Sequence, residues 1–114
     1  MNEFELFTIM YFWIDCYYAD TIDDRINNLI GEMNPFLWQD ISSADPAYYD
    51  DFCRFVKGKT ITLDNSLDLA KNFIKTIEYV DITEAFEEPD YDKWKDGCKR
   101  YLAEKHKGGE ARDI

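Results

Sequence analysis

Between Phe4 and Tyr18 the apolar residues fall on two adjacent rows at helical spacing: Phe4, Phe7, Tyr11, Ile14 and Tyr18 on one, Leu6, Met10, Trp13 and Tyr17 on the other. Two such rows cover most of a helix's circumference. The segment is therefore expected at the centre of the fold, with other elements packed against several of its sides. Glu5, Thr8 and Asp15 are its polar breaks, and the pattern predicts its end near Ala19.

The rest of the chain reads as amphipathic helices. Thr21 and Asp24 have the form of a cap followed by a first-turn acid, and Ile22, Ile26, Leu29, Ile30 and Met33 supply a stripe; Asn34-Pro35 stops it, because the residue before a proline is pushed out of helical space. Phe36, Leu37 and Trp38 then form an apolar plug in a connection. Asp45 can cap a third helix with Pro46 at its first position and Gly58 past its far end. On that helix Tyr48 and Tyr49 are placed at the two edges of the apolar face, where a ring can be buried and its hydroxyl stay wet. A long pattern from about Asp64 runs through Leu67, Phe73, Ile77 and Val80 towards Phe86, with a bend near residues 81–83. Pro89 interrupts, and Tyr91, Trp94, Cys98, Tyr101 and Leu102 give a last helix that frays at Gly108-Gly109. The fold class predicted is all-α: a compact bundle of four or five helices in a single domain over residues 1–107, with 108–114 a flexible C-terminal tail.

At 114 residues one core suffices without disulfide or metal staples. Three cysteines, Cys16, Cys53 and Cys98, are an odd number at no metal-like spacing, each among apolar neighbours as a reduced core thiol would be. The N-terminus has no basic leader, and the charge-free stretch Leu6 to Ile14 is too short to span a bilayer, so a cytoplasmic protein is expected.

The search for catalytic chemistry yields little. His106 is the only histidine, placed among lysines in the terminal turn, where a solvent-exposed side chain is expected. Phosphate loops, zinc motifs and paired cysteines are absent from the sequence. Carboxylates remain: Glu84, Glu87, Glu88 and Asp92 are spaced to hold Mg²⁺, as in helical nucleotide hydrolases, but a second acidic pair on a defined helix is missing. The expectation is a non-enzyme with no cofactor, the Mg-dependent hydrolase being the alternative.

Charge is the functional clue. Residues 1–53 hold 11 acidic residues against Arg25 alone, whereas residues 54–114 hold 13 against 12 bases. Acids at helix starts explain some of this, since Asp20, Asp23 and Asp24, and Asp45, Asp50 and Asp51, sit near helix N-termini. Local capping does not explain the near absence of bases. If Asp20, Asp23, Asp24, Asp40, Asp45, Asp50 and Asp51 share a side, they flank Trp38, Tyr48 and Tyr49, and such a face suits a basic protein partner while repelling nucleic acid and anionic membranes.

The size, the acidity, the helical layout and the run MNPFLWQDISSADPAYYDDF resemble the immunity proteins of bacterial polymorphic toxin systems, including contact-dependent growth inhibition; the likeness is clearest from Tyr11 to Val56. By analogy the chain is also similar to the smaller acidic helical inhibitors of nuclease colicins, which use carboxylates on one helix and a tyrosine pair on another. Asp45, Tyr48, Tyr49, Asp50 and Asp51 match that layout. The resemblance implies a cytosolic inhibitor of a cognate toxin domain, basic and a nuclease, binding through Asp20, Asp23, Asp24, Trp38, Asp40, Asp45, Tyr48, Tyr49, Asp50 and Asp51. An acidic DNA mimic that occupies a DNA-binding enzyme shares the same charge and is a further alternative.

Overall fold

The computed structural model describes residues 1–87 and 91–112. Among these, six helices and no strand are found: α1 (Glu3–Tyr17), α2 (Asp24–Met33), α3 (Pro46–Val56), α4 (Ser66–Ile74), α5 (Glu84–Glu87) and α6 (Tyr91–Leu102). The fold is all-α. No helix among the described residues is long and apolar enough to cross a membrane.

Helix α1 runs through the middle and packs against each of the other five. Its start is fixed by a capping box: the Asn2 side chain accepts from the Glu5 N–H and Glu5 Oε1 accepts from the Asn2 N–H, both at 2.8 Å. Phe4, Leu6, Phe7, Met10 and Ile14 are buried, and so are Glu5 and Thr8. Phe7 meets Tyr49 and Phe52 of α3 at 5.4 and 5.7 Å between ring centres, and Phe52 meets Phe73 of α4 at 5.0 Å. At the other end of α1, Trp13 lies edge-on to Trp94 of α6 at 5.4 Å, its indole N–H donating to the Ala85 carbonyl. Trp94 in turn donates to the buried Ser66 hydroxyl at 2.8 Å. Both indoles thus enter the interior with their polar atom satisfied.

The other helices start and stop largely where local chemistry dictates, with four corrections. Asp23, rather than Thr21, caps α2, and Ile22 lies in the preceding turn, 96% exposed and outside the apolar stripe. The helix expected across 64–86 ends at Ile74, because Thr76, Ile77, Val80, Ile82 and Thr83 bring a cluster of β-branched side chains that disfavour helix. That segment runs irregularly, burying Val80 and Ile82 while Asp81 between them is exposed. Of the cysteines, Cys98 is buried and Cys53 half-buried, but Cys16 is exposed, because the strip of α1 that carries it faces a groove that α6 leaves open.

The fourth correction concerns the C-terminus. His106 is not solvent-exposed: its side chain retains 7% exposure, with Nε2 2.7 Å from a carboxylate oxygen of Glu5 and Nδ1 2.6 Å from the Glu104 carbonyl. Where a loose tail was expected, residues 108–112 fold back onto α1, the Arg112 N–H donating to the Leu102 carbonyl at 2.9 Å and Asn2 Nδ2 to the Gly108 carbonyl at 2.9 Å.

Candidate partner-binding surface

The segment 34–45 is a closed loop with an apolar tip. Its neck is fastened by the Ala44 N–H to the Asn34 carbonyl and the Asp45 N–H to the Glu32 carbonyl, both 2.8 Å. Inside the loop the Asn34 side chain accepts from the Phe36 N–H at 2.8 Å, and the Trp38 indole N–H donates to the Ala44 carbonyl at 3.2 Å. The buried Ser43 hydroxyl donates to the Asp45 carbonyl and accepts from the Tyr49 N–H at 3.1 Å. Lys107 reaches across from the C-terminal segment to the Pro35 and Trp38 carbonyls at 2.7 and 2.5 Å. With the backbone so held, Phe36, Leu37, Trp38 and Ile41 remain 47, 59, 48 and 46% exposed. The three residues read as a plug are therefore displayed rather than inserted.

This tip is continuous with a groove. Phe36 lies 5.5 Å from the ring of Phe12, itself 40% exposed, and Phe12 lies 6.1 Å from Tyr101. Beyond Phe12 opens a groove of about 500 Å³ between α1 and α6, lined by Trp13 and Cys16 on one side and by Gly97, Arg100 and Tyr101 on the other. Contiguous exposed apolar surface is a general signature of protein, membrane or ligand contact, which makes this face the candidate site.

The expected acidic residues separate into groups. Asp45, which caps α3, and Tyr48 and Asp51 on that helix come together with Glu32, Glu78 and Tyr79, which the sequence pattern does not single out. Tyr48 hydrogen-bonds to Glu32, and burial, this bond and the charges of Glu32 and Asp45 push its phenol up to about 12. Tyr48, Asp51, Glu78 and Tyr79 border a second depression of about 280 Å³. Asp51 also pairs with Arg54 on the same helix. Asp50 lies on the α1 side instead, where its charge and that of Glu3 act on Tyr49 and Cys53. Asp40 acts on Lys107 at the foot of the loop.

Asp23 and Asp24 start α2, and Asp20 precedes it. They are a helix length of roughly 15 Å from the Glu32 end. Asp23 accepts the Arg25 N–H at 2.9 Å, which holds its carboxyl below the usual range. Tyr49 departs from its expected place: at 9% exposure it sits in the core, edge-on to both Phe4 and Phe7, and burial drives its phenol well above the ordinary value. Tyr48 alone of the pair stands at the edge, half-buried.

Of the carboxylates considered for Mg²⁺, Asp92 lies in the first turn of α6. Glu87 borders a small depression with Lys71, Lys75 and Thr83, and Glu84 acts on Tyr18; Glu88 lies outside the described residues. Among the described residues no group of three or more histidines, cysteines or carboxylates is arranged to hold a metal ion. Comparison with protein-family models, curated proteins and solved structures finds no match to this chain.

Proposed function

We propose that this chain is an immunity-type inhibitor, a non-enzymatic binding module that caps a basic toxin domain, with a nuclease the toxin whose substrate groove best suits an acidic ligand. One observation carries the reading. Four large apolar side chains are held out by a hydrogen-bonded loop rather than buried, and the neck of that loop is tied to Glu32 and Asp45, two of the acids that act on Tyr48. A rigidly held aromatic anchor is the kind of feature that concentrates binding energy, and the carboxylates of the domain raise the encounter rate with a cationic partner.

The test is co-expression with the C-terminal domain encoded by the gene immediately upstream. Growth rescue and a stable one-to-one complex are the expected results. A Leu37→Ser/Trp38→Ala variant should keep its melting temperature and weaken the complex by roughly thirtyfold or more, the effect of losing a central anchor. Rescue and affinity unchanged in that variant would remove the loop from the interface. A toxic, folded upstream domain that neither binds nor is neutralised would overturn the reading.

A further inference from the structure

After Leu102 the chain makes a closed excursion and returns, the Arg112 N–H bonding to the Leu102 carbonyl, with His106 and Gly109 bridged inside it. This strap, residues 103–112, is fastened to α1 at three points. Glu5 receives His106 at 2.7 Å and also pairs with Arg112, while Asn2 donates to the Gly108 carbonyl. Both His106 nitrogens are engaged, one with the Glu5 carboxylate and the other with the Glu104 carbonyl. The ring also lies 4.3 Å from that of Tyr101.

The close approach depends on two glycines. At Gly108, with φ +82°, a Cβ would collide with the Phe4 ring, and at Gly109 it would collide with the His106 imidazole and the Glu5 carboxylate. The pair read as a fraying signal is what lets the strap lie against α1.

Lys107 is the strap's outward reach. Its ammonium sits 5.3 Å from the centre of the Phe4 ring and donates to the Pro35 and Trp38 carbonyls. Two carbonyls three residues apart, converging on one ammonium, fix the turn between them, which is the turn that displays Phe36 and Leu37. We infer that the C-terminal strap is a clamp that pre-forms the apolar loop, with Lys107 as its positioning residue. Only the consequence for binding rests on the function proposed above: a loop ordered in advance loses less conformational freedom when a partner arrives.

Hydrogen exchange in the free protein tests the coupling without any partner, so failure of the clamp and failure of the binding reading are told apart. The amides of Phe36, Ala44 and Asp45 and the indole N–H of Trp38 report on the loop; those of Met10 and Leu29 report on the core. Lys107→Met should accelerate exchange of the loop reporters by about tenfold or more, the loss of two charge-assisted hydrogen bonds, and leave the core reporters unchanged. Lys105→Met, changing an exposed neighbour, should leave both sets unchanged. Gly109→Ala should reproduce the loop effect by displacing the strap; if it unfolds the protein, Lys107→Met alone decides. Loop exchange within roughly twofold of the unsubstituted protein in Lys107→Met, or acceleration shared equally by the core, overturns the inference.

Discussion

Glu5 is a fully buried carboxylate, and what surrounds it decides whether it stabilises or disrupts. Burial raises its pKa, but the Asn2 N–H, His106 and Arg112 together outweigh that and hold it below the usual 4.5. Removing the carboxylate would leave an imidazole, a guanidinium and a backbone N–H without their shared partner. Glu5→Ala is expected to cost about 3–5 kcal/mol, read as a lower urea midpoint at unchanged slope. The pH dependence has a fixed sign. A carboxyl with a depressed folded-state pKa binds fewer protons folded than unfolded, so its contribution is present above 4.5 and is lost as pH falls through the lower folded value. Urea melts between about pH 7 and 3 should show this loss, and Glu5→Gln should flatten the acid limb relative to the unsubstituted protein. The sequence shows Glu5 only as a polar interruption on an apolar helix. Its partners lie more than 100 positions away, at His106 and Arg112, and only the fold brings them to it.

Helix boundaries were legible where a local signal is strong. Asp45-Pro46 starts α3 as its residues predict, the Asp45 side chain accepting from the Ala47 N–H at 3.1 Å, and Gly58 adopts φ +80° just past the end. The stretch 75–83 misled because Ile77 and Val80 keep helical spacing, while the β-branched residues around them disfavour helix and the backbone runs irregularly through turns and bends. Val80 and Ile82 point inward and Asp81 outward, its carboxylate accepting from the Thr83 N–H at 2.9 Å. Ile82 has no exposure, so Ile82→Ala is expected to cost about 2–5 kcal/mol by thermal or urea unfolding, the range for a buried aliphatic truncated to alanine. A cost near zero would mean that this segment contributes nothing to the core. The candidate surface was legible only in part for a related reason. Trp38, Asp45, Tyr48 and Asp51 could be picked out by composition, but spacing alone does not say that Tyr49 turns to Phe4 and Phe7 or that Glu32 and Glu78 arrive beside Tyr48.

At the scale of the whole molecule, a net charge of −11 with the excess in the first 53 residues is a strain that the fold carries. Glu32, Asp45, Asp51 and Glu78 gather around Tyr48, and the bases Lys71 and Lys75 lie by Glu87 elsewhere. Like charges at such spacing repel through solvent over distances that salt shortens, the screening length falling from about 10 Å at 0.1 M to about 4 Å near 0.5 M. The buried Glu5 cluster is largely insulated from this screening. Raising NaCl from about 0.02 to 0.5 M should therefore raise the melting temperature by a few degrees, the equivalent of roughly 0.5–1 kcal/mol in a domain of this size. The same salt should weaken capture of a cationic partner, because the field that destabilises the free domain is the one that steers encounter. Opposite signs for the two effects are the mark of an acidic surface retained for recognition. A melting temperature that stays flat or falls would mean that helix-start dipoles and local pairs already balance the acids, and the charge would then lose its standing as evidence for a basic partner.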